Sequence, residues 1–181
     1  MDEEILELCR VDKEKGFRCL IEHYQQPLYW YIRRMLNTHA DTEDVLQETF
    51  LRVYRHWSSF KGTSKLSTWL YKIATNEALR FIEKNKQNTI PLDEIGNENV
   101  LCEFCGGEAD EETAMQLMML QNAVRSLPEK QKLVFNLRYY DEMDYADIAE
   151  VLDTQVETLK TNFFYAKENI KKYIQKNYER V

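Results

Sequence analysis

LPEKQKLVFNLRYYDEMDYADIAEVLDTQVETLKTNFFYAKENIKKYI, residues 127–174, is the stretch whose breaks and periodicity decide the fold class. Its breaks divide it into four helices. Pro128 stands at a helix start, where its missing N–H is one of the donors that a first turn leaves unpaired in any case. Leu133, Val134, Leu137 and Tyr140 recur at helical spacing, and Asp141 to Asp144 make a turn. Tyr145, Ile148, Ala149 and Leu152 form the stripe of a short helix. Asp153 and Thr154 then turn the chain; aspartate accepts left-handed backbone less readily than glycine but better than most residues. Val156, Leu159, Phe163, Ala166 and Ile170 line a last, long helix. A short helix with a small residue at its centre, a tight turn and a longer cationic helix make a helix-turn-helix, whose second helix enters the major groove of duplex DNA. The exposed face of that helix offers Thr158, Lys160, Thr161, Asn162, Phe164, Tyr165 and Lys167. Such a set mixes groups suited to phosphates with groups suited to base edges.

Upstream lies a segment of opposite character. Residues 87–112, QNTIPLDEIGNENVLCEFCGGEADEE, hold eight acids, no Lys or Arg, Pro91 and three of the five glycines. It reads as an acidic linker between two helical parts. The chain's net charge of −7 argues at first against a nucleic-acid partner, because phosphate binding depends on Lys and Arg. The linker accounts for that charge, since the rest of the chain has 23 acids against 24 bases.

In the first part, Ile5, Leu8 and Cys9, then Phe17, Leu20, Ile21 and Tyr24, then Tyr29, Ile32 and Met35 recur at helical spacing. DTEDVLQETFLRVYR, residues 41–55, reads as one helix with Leu46, Phe50, Val53 and Trp57 as its buried stripe and Asp41 or Thr42 as its cap. Acids in its first turns suit the positive end of the helix dipole. The dipole does not account for the polar face formed by Asp44, Gln47, Glu48 and Thr49, which suits a basic partner. In FKGTSKLSTWLYKIATNEALRFIEKNK, residues 60–86, Gly62 breaks the chain and Ser64 or Ser67 caps a new helix with an apolar stripe of Leu70, Ile73, Ala74 and Leu79. Its other side carries Lys72, Asn76, Arg80 and Lys84, with Phe60, Lys61, Trp69 and Tyr71 nearby. Cations interleaved with aromatics suit single-stranded DNA, because bases stack on rings while cations follow the phosphates.

Composition bounds the rest. With 181 residues, 44% of them hydrophobic, the chain can form one medium domain or two small ones. The acidic start MDEEILELCR is unlike a signal peptide, and the longest uncharged apolar stretch, about Ala114 to Val124, is too short for a bilayer, so a cytoplasmic location without membrane insertion is expected. Cys102 and Cys105 form a C-x-x-C without the second half-site that zinc requires, and the acids around the pair disfavour a thiolate. No metal or cofactor is expected. None of the three histidines has Glu three residues before it, as di-iron bundles need, and neither a phosphate loop nor a nucleophile elbow is present, so an enzyme is not expected.

DTEDVLQETFLRVYRHWSSFKG, STWLYKIATNEAL, LPEKQKLVFNLRYYDEMDYADIAEVL and VETLKTNF resemble, in order and around a linker, regions two and four of the extracytoplasmic-function (ECF) sigma factors of the sigma-70 family. The resemblance implies an all-α protein of two small helical domains, a region 2 bundle in residues 1–86 and a region 4 helix-turn-helix in residues 113–181, joined by the acidic linker 87–112. It implies a transcription-initiation subunit that binds core RNA polymerase and promoter DNA. Asp41, Asp44, Gln47 and Glu48 would then dock on the polymerase. Phe60, Lys61, Trp69, Lys72, Asn76, Arg80 and Lys84 would recognise and open the minus-ten element, the loop before Trp69 accepting a flipped base. Residues 156–172 would read the minus-thirty-five element. The family also implies an anti-sigma factor, membrane-linked, covering both DNA-reading faces. The rival reading is a stand-alone helix-turn-helix regulator, which needs neither a polymerase-docking face nor an aromatic, cationic segment.

Overall fold

Helical periodicity on both sides of an acidic segment produces helices alone. The computed structural model describes residues 1–36, 38–86 and 111–178, and no strand occurs among them. The helices are α1 (Asp2–Val11), α2 (Lys13–Arg33), α3 (His39–Arg55), α4 (Leu66–Lys86), α5 (Glu111–Arg125), α6 (Glu129–Phe135), α7 (Tyr145–Leu152) and α8 (Val156–Tyr178). They form two compact units, the first carrying α1–α4 and the second carrying α5, α6 and α8. The expected linker, with Cys102 and Cys105, lies outside the described residues up to Glu111, where α5 begins.

In the first unit α1 and α2 form a hairpin joined by one residue, Asp12. Its backbone is extended, and its carboxylate accepts a hydrogen bond from the Lys15 backbone N–H at 3.1 Å, capping α2. That bond holds the Asp12 carboxyl below the usual carboxylate range. One turn on, Gly16 lies against the Cys9 backbone so closely that a Cβ would overlap it. The Tyr24 hydroxyl donates to Asp2 at 2.6 Å and ties the start of α1 to α2. Burial, and then the Asp2 carboxylate, push that phenol well above its ordinary range.

Helix α3 begins two residues earlier than its acids suggest. Thr38, in extended backbone, caps it by accepting from the Asp41 N–H at 3.1 Å, a contact that contributes about 1 kcal/mol in such positions. Asp41 and Thr42, the expected caps, are therefore inside the helix. The buried stripe is also set differently from the expected one. Thr42, Val45, Thr49, Phe50 and Val53 are buried, while Leu46 and Trp57 are only half-buried. Thr49 leaves the polar face because its hydroxyl donates to the Val45 carbonyl at 2.7 Å and needs no water.

Helix α4 starts at Leu66, which places Ser67 in its first turn rather than at a cap. It buries Leu66, Leu70, Tyr71, Ala74 and Ala78, with Ile73 and Leu79 half-buried. Tyr71 is core, its ring 5.0 Å from that of Tyr31. The Thr75 hydroxyl gives its one proton to the Tyr71 carbonyl at 2.7 Å, so the Tyr31 hydroxyl is the donor in the 2.7 Å bond that locks α2 to α4. On α2 the core face is Phe17, Leu20, Tyr24, Leu28, Tyr31 and Ile32; Ile21 and Tyr29 sit at its edge.

The second unit packs α5 and α6 on α8 around Ala123, Val124, Leu127, Phe135, Ala166 and Ile170. Pro128 is the N-cap residue of α6, as its sequence position predicts. The four helices expected in this stretch are three α-helices and one π-helical turn, Asn136–Tyr140, continuing from α6. Glu142 and Asp153 adopt left-handed backbone, φ 50° in each, and the second makes the turn between α7 and α8. Ile148, Val151 and Leu159 are buried on either side of that turn. The ring of Tyr145 meets Phe163 edge-on at 6.3 Å, and the Arg138 guanidinium lies 5.3 Å from the centre of the same Tyr145 ring.

Candidate nucleic-acid and partner interfaces

The first surface is the outer face of α3. With 3.6 residues per turn, Asp41, Asp44, Gln47, Glu48 and Leu51 fall on one strip opposite Val45, Thr49 and Val53. Asp44 and Gln47 are exposed, and Asp41 and Glu48 are half-exposed. The Glu48 carboxylate lies 3.7 Å from Arg52, and Glu43, on the flank, lies 3.2 Å from His39. Sequence reasoning passed over Leu51. It is 48% exposed and sits one turn beyond Gln47 and Glu48, an apolar residue at the end of a polar strip. Its spacing from Gln47, four residues, and its absence from the apolar stripe are the signals that could have found it.

The second surface joins the end of α3 to α4. Trp57 sits in a short 3-10 turn, Trp57–Ser59, and its ring lies 6.1 Å from Phe60 and 6.0 Å from Trp69. Phe60 and Trp69 are 5.1 Å apart. These three rings make one half-exposed cluster beside the exposed residues Lys61, Gly62 and Thr63, and Gly62 adopts φ +69°, where L side chains are strained. Lys72, Asn76, Arg80 and Lys84 follow at intervals of four along α4, half-exposed at Lys72 and exposed beyond it. Tyr71 does not join them. Glu77, a buried carboxylate beneath this strip, was also not read from the sequence. Its spacing three before Arg80 was the available signal, but its place on the buried side of α4 hid it among Ala74 and Ala78.

The third surface is α8. Thr158, Thr161, Asn162 and Tyr165 share one strip, and Lys160, Phe164 and Lys167 share the neighbouring one, both away from Leu159, Ala166 and Ile170. All seven are exposed except Asn162, which is half-buried. Lys160 pairs with Glu157 at 3.0 Å, and the Thr161 hydroxyl donates to the Glu157 carbonyl at 2.9 Å. The Lys167 ammonium stands 5.1 Å from the Phe163 ring centre. The positive groups thus line one flank of the helix and the uncharged hydrogen-bonding groups the other, a division that suits phosphate and base-edge contacts respectively.

A helix-turn-helix unit and a four-helix unit with an aromatic, cationic strip define a DNA-reading transcription protein. Residues 20–88 match the Sigma-70 region 2 family, and residues 117–170 match Sigma-70 region 4. The chain is 30% identical to the ECF RNA polymerase sigma-E factor of Salmonella typhimurium over 96% of its own length and 94% of that protein. It is 31% identical to the ECF RNA polymerase sigma factor SigW of Bacillus subtilis, over 90% of each chain. Among solved structures it resembles CnrH in complex with the cytosolic domain of CnrY, with a TM-score of 0.72 at 15% identity over 96% of this chain and 97% of that one. It also resembles the sigma factor RpoE in complex with the anti-sigma factor NepR from Bartonella quintana, with a TM-score of 0.68 at 17% identity over 89% and 98%. The chain belongs to the ECF sigma factors of the sigma-70 family. It is therefore an RNA polymerase sigma factor, a member of a family of transcription-initiation subunits and not of enzymes. No described helix is long and apolar enough to cross a membrane.

Proposed function

We propose that this sigma factor divides its work among the three surfaces. Asp41, Asp44, Gln47 and Glu48 on α3 dock on core RNA polymerase. Phe60, Lys61, Trp69, Lys72, Asn76, Arg80 and Lys84 recognise and hold open the minus-ten element, with Asn76 and Arg80 reading bases and the segment around Gly62 accepting a flipped one. Thr158, Lys160, Thr161, Asn162, Phe164, Tyr165 and Lys167 contact the minus-thirty-five element. On this reading residues 1–86 are region 2, residues 87–112 a linker whose negative charge follows basic polymerase channels, and residues 113–181 region 4. The protein acts in the cytoplasm and has no catalytic activity of its own.

The observation that carries this reading is the separation of charge on the first unit. The outward strip of α3 is acidic, whereas the strip of α4 is cationic and adjoins three clustered rings. Two different partners, one basic and one nucleic acid, fit one small unit in this way. A stand-alone regulator gives no use to the α3 strip. The NepR complex of a similar sigma factor, and the CnrY complex of another similar structure, support a further partner here. An anti-sigma protein, membrane-linked, is expected to cover both DNA-reading faces of the free protein.

The test is gel filtration of the protein with core polymerase from the source cells. The wild-type chain co-elutes, and the Asp44→Lys, Glu48→Lys double variant elutes alone while retaining its helical circular dichroism. Normal co-elution of the folded double variant refutes the docking assignment. A pull-down of the free chain from source cells that recovers polymerase and no second protein refutes the anti-sigma partner.

A further inference from the structure

A chain of four alternating charges runs from the outward strip of α3 to that of α4. Glu48 lies 3.7 Å from Arg52 Nε, and Arg52 Nε lies 2.7 Å from Glu77 Oε1. The same Glu77 oxygen accepts a hydrogen bond from Arg80 Nη1 at 2.9 Å. Side-chain exposure differs along the chain: 7% at Glu77, 35% at Arg52 and 59% at Arg80. Covering a carboxylate so deeply costs it its hydration, and that cost is offset only by partners that replace the water. It has two of them, one on each helix, converging on a single oxygen. Arg52 Nε is sealed from solvent and its contact with Glu77 lacks hydrogen-bond alignment, so that pair is held by charge. Arg80 makes the aligned bond with one nitrogen and keeps most of its guanidinium in water.

We propose that Glu77 is a positioning residue for promoter recognition: from the covered side of α4, as the shared anion of Arg52 and Arg80, it orders the Arg80 guanidinium for the minus-ten strand. The inference rests on the assignment of Arg80 to that strand and deepens it. An arginine free at all its torsions loses that freedom on binding, and its charge serves any phosphate equally well. Anchored at one nitrogen, the planar fork is presented in one orientation and can distinguish bases. Removing the Glu77 charge therefore lowers sequence discrimination while leaving non-specific binding equal or stronger.

The experiment uses the full-length chain assembled with core polymerase. It compares binding to a promoter strand that the wild-type holoenzyme opens with binding to the same strand altered in its minus-ten positions. Glu77→Gln and Arg80→Ala are each expected to lower the preference about fivefold, the low end of what one ordered base contact contributes. The double variant is expected to be no worse than Arg80→Ala, because Glu77 acts only through Arg80. Glu77→Gln is also expected to bind the altered strand at least as tightly as wild type. An effect of Glu77→Gln that persists undiminished in the Arg80→Ala background overturns the positioning role, as does an unchanged preference in Glu77→Gln when Arg80→Ala has lost it. No effect of Arg80→Ala overturns instead the assignment of Arg80 to DNA. Should Glu77→Gln fail to fold, Glu77→Asp keeps the buried charge, withdraws it by one methylene, and is subject to the same comparisons.

Discussion

Replacing Gly16 by Ala probes the closest approach in the first unit. A Cβ built on Gly16 lies 2.6 Å from Cys9 Cα, and Cys9 N and Sγ are nearer still. Two of those three atoms are backbone, so rotation of the cysteine side chain does not relieve the contact. Ordinary separation requires α1 to retreat from α2 by roughly 1 Å, against a core whose packing tolerates little displacement. Overpacking of this kind costs about 1–3 kcal/mol, and alanine in a helix interior recovers about 1 kcal/mol relative to glycine. Because backbone atoms of Cys9 are among those overlapped, the upper part of that range applies, about 2–3 kcal/mol, and a net loss of about 1–2 kcal/mol is expected from these two opposing effects. Trp30, Trp57 and Trp69, the chain's three tryptophans, all lie in the first unit, so tryptophan fluorescence of the full-length protein reports that unit selectively. In urea the midpoint should fall by about 0.5–1 M for a typical slope. A variant as stable as wild type, or more stable, refutes the close approach and leaves helix propensity as the dominant effect.

On α8, Lys160→Ala in the holoenzyme should reduce the salt dependence of promoter binding by about 0.9 in logarithmic slope, the value of one phosphate contact. Between 50 and 200 mM salt that corresponds to about 3.5-fold less attenuation, and an unchanged slope removes Lys160 from the interface. Glu157→Gln, which releases Lys160 from its 3.0 Å partner, should shift affinity in the opposite direction, most clearly at low salt. Asp12 gives a pH prediction. Because its folded pKa is depressed, its contribution to stability is present above the ordinary carboxylate value and is lost as pH falls through the lower folded value. The stability difference between wild type and Asp12→Ala, measured by urea unfolding, should therefore shrink below about pH 4; a difference constant from pH 6 to pH 2.5 refutes the assignment.

The class of protein was legible because its signals are local. Pro128 at a helix start, the 3.6-residue stripe of Val156, Leu159, Phe163, Ala166 and Ile170, and a turn residue able to take φ 50° are properties of neighbouring residues, and the fold has all three. Which polar residue faces inward is a different matter. Thr42, Thr49 and Thr75 are buried although each has a hydroxyl, because a helix carbonyl one turn back accepts its proton. Tyr71 resembles a stacking residue until α2 places Tyr31 against it. In the same way, composition alone makes Glu77 a solvated acid.

Sequence by itself determined the helices, the acidic break between two helical parts and the strips of α4 and α8 that carry the groups proposed to contact DNA, since spacing along a helix sets which side chains share a face. Tertiary structure decided the exact stripe of α3, the clustering of Trp57, Phe60 and Trp69, and the convergence of Arg52 and Arg80 on one buried oxygen. Those features join residues up to 25 positions apart, such as Arg52 and Glu77. Their energies depend on burial and on charges brought by another helix, and neither exists until the helices pack.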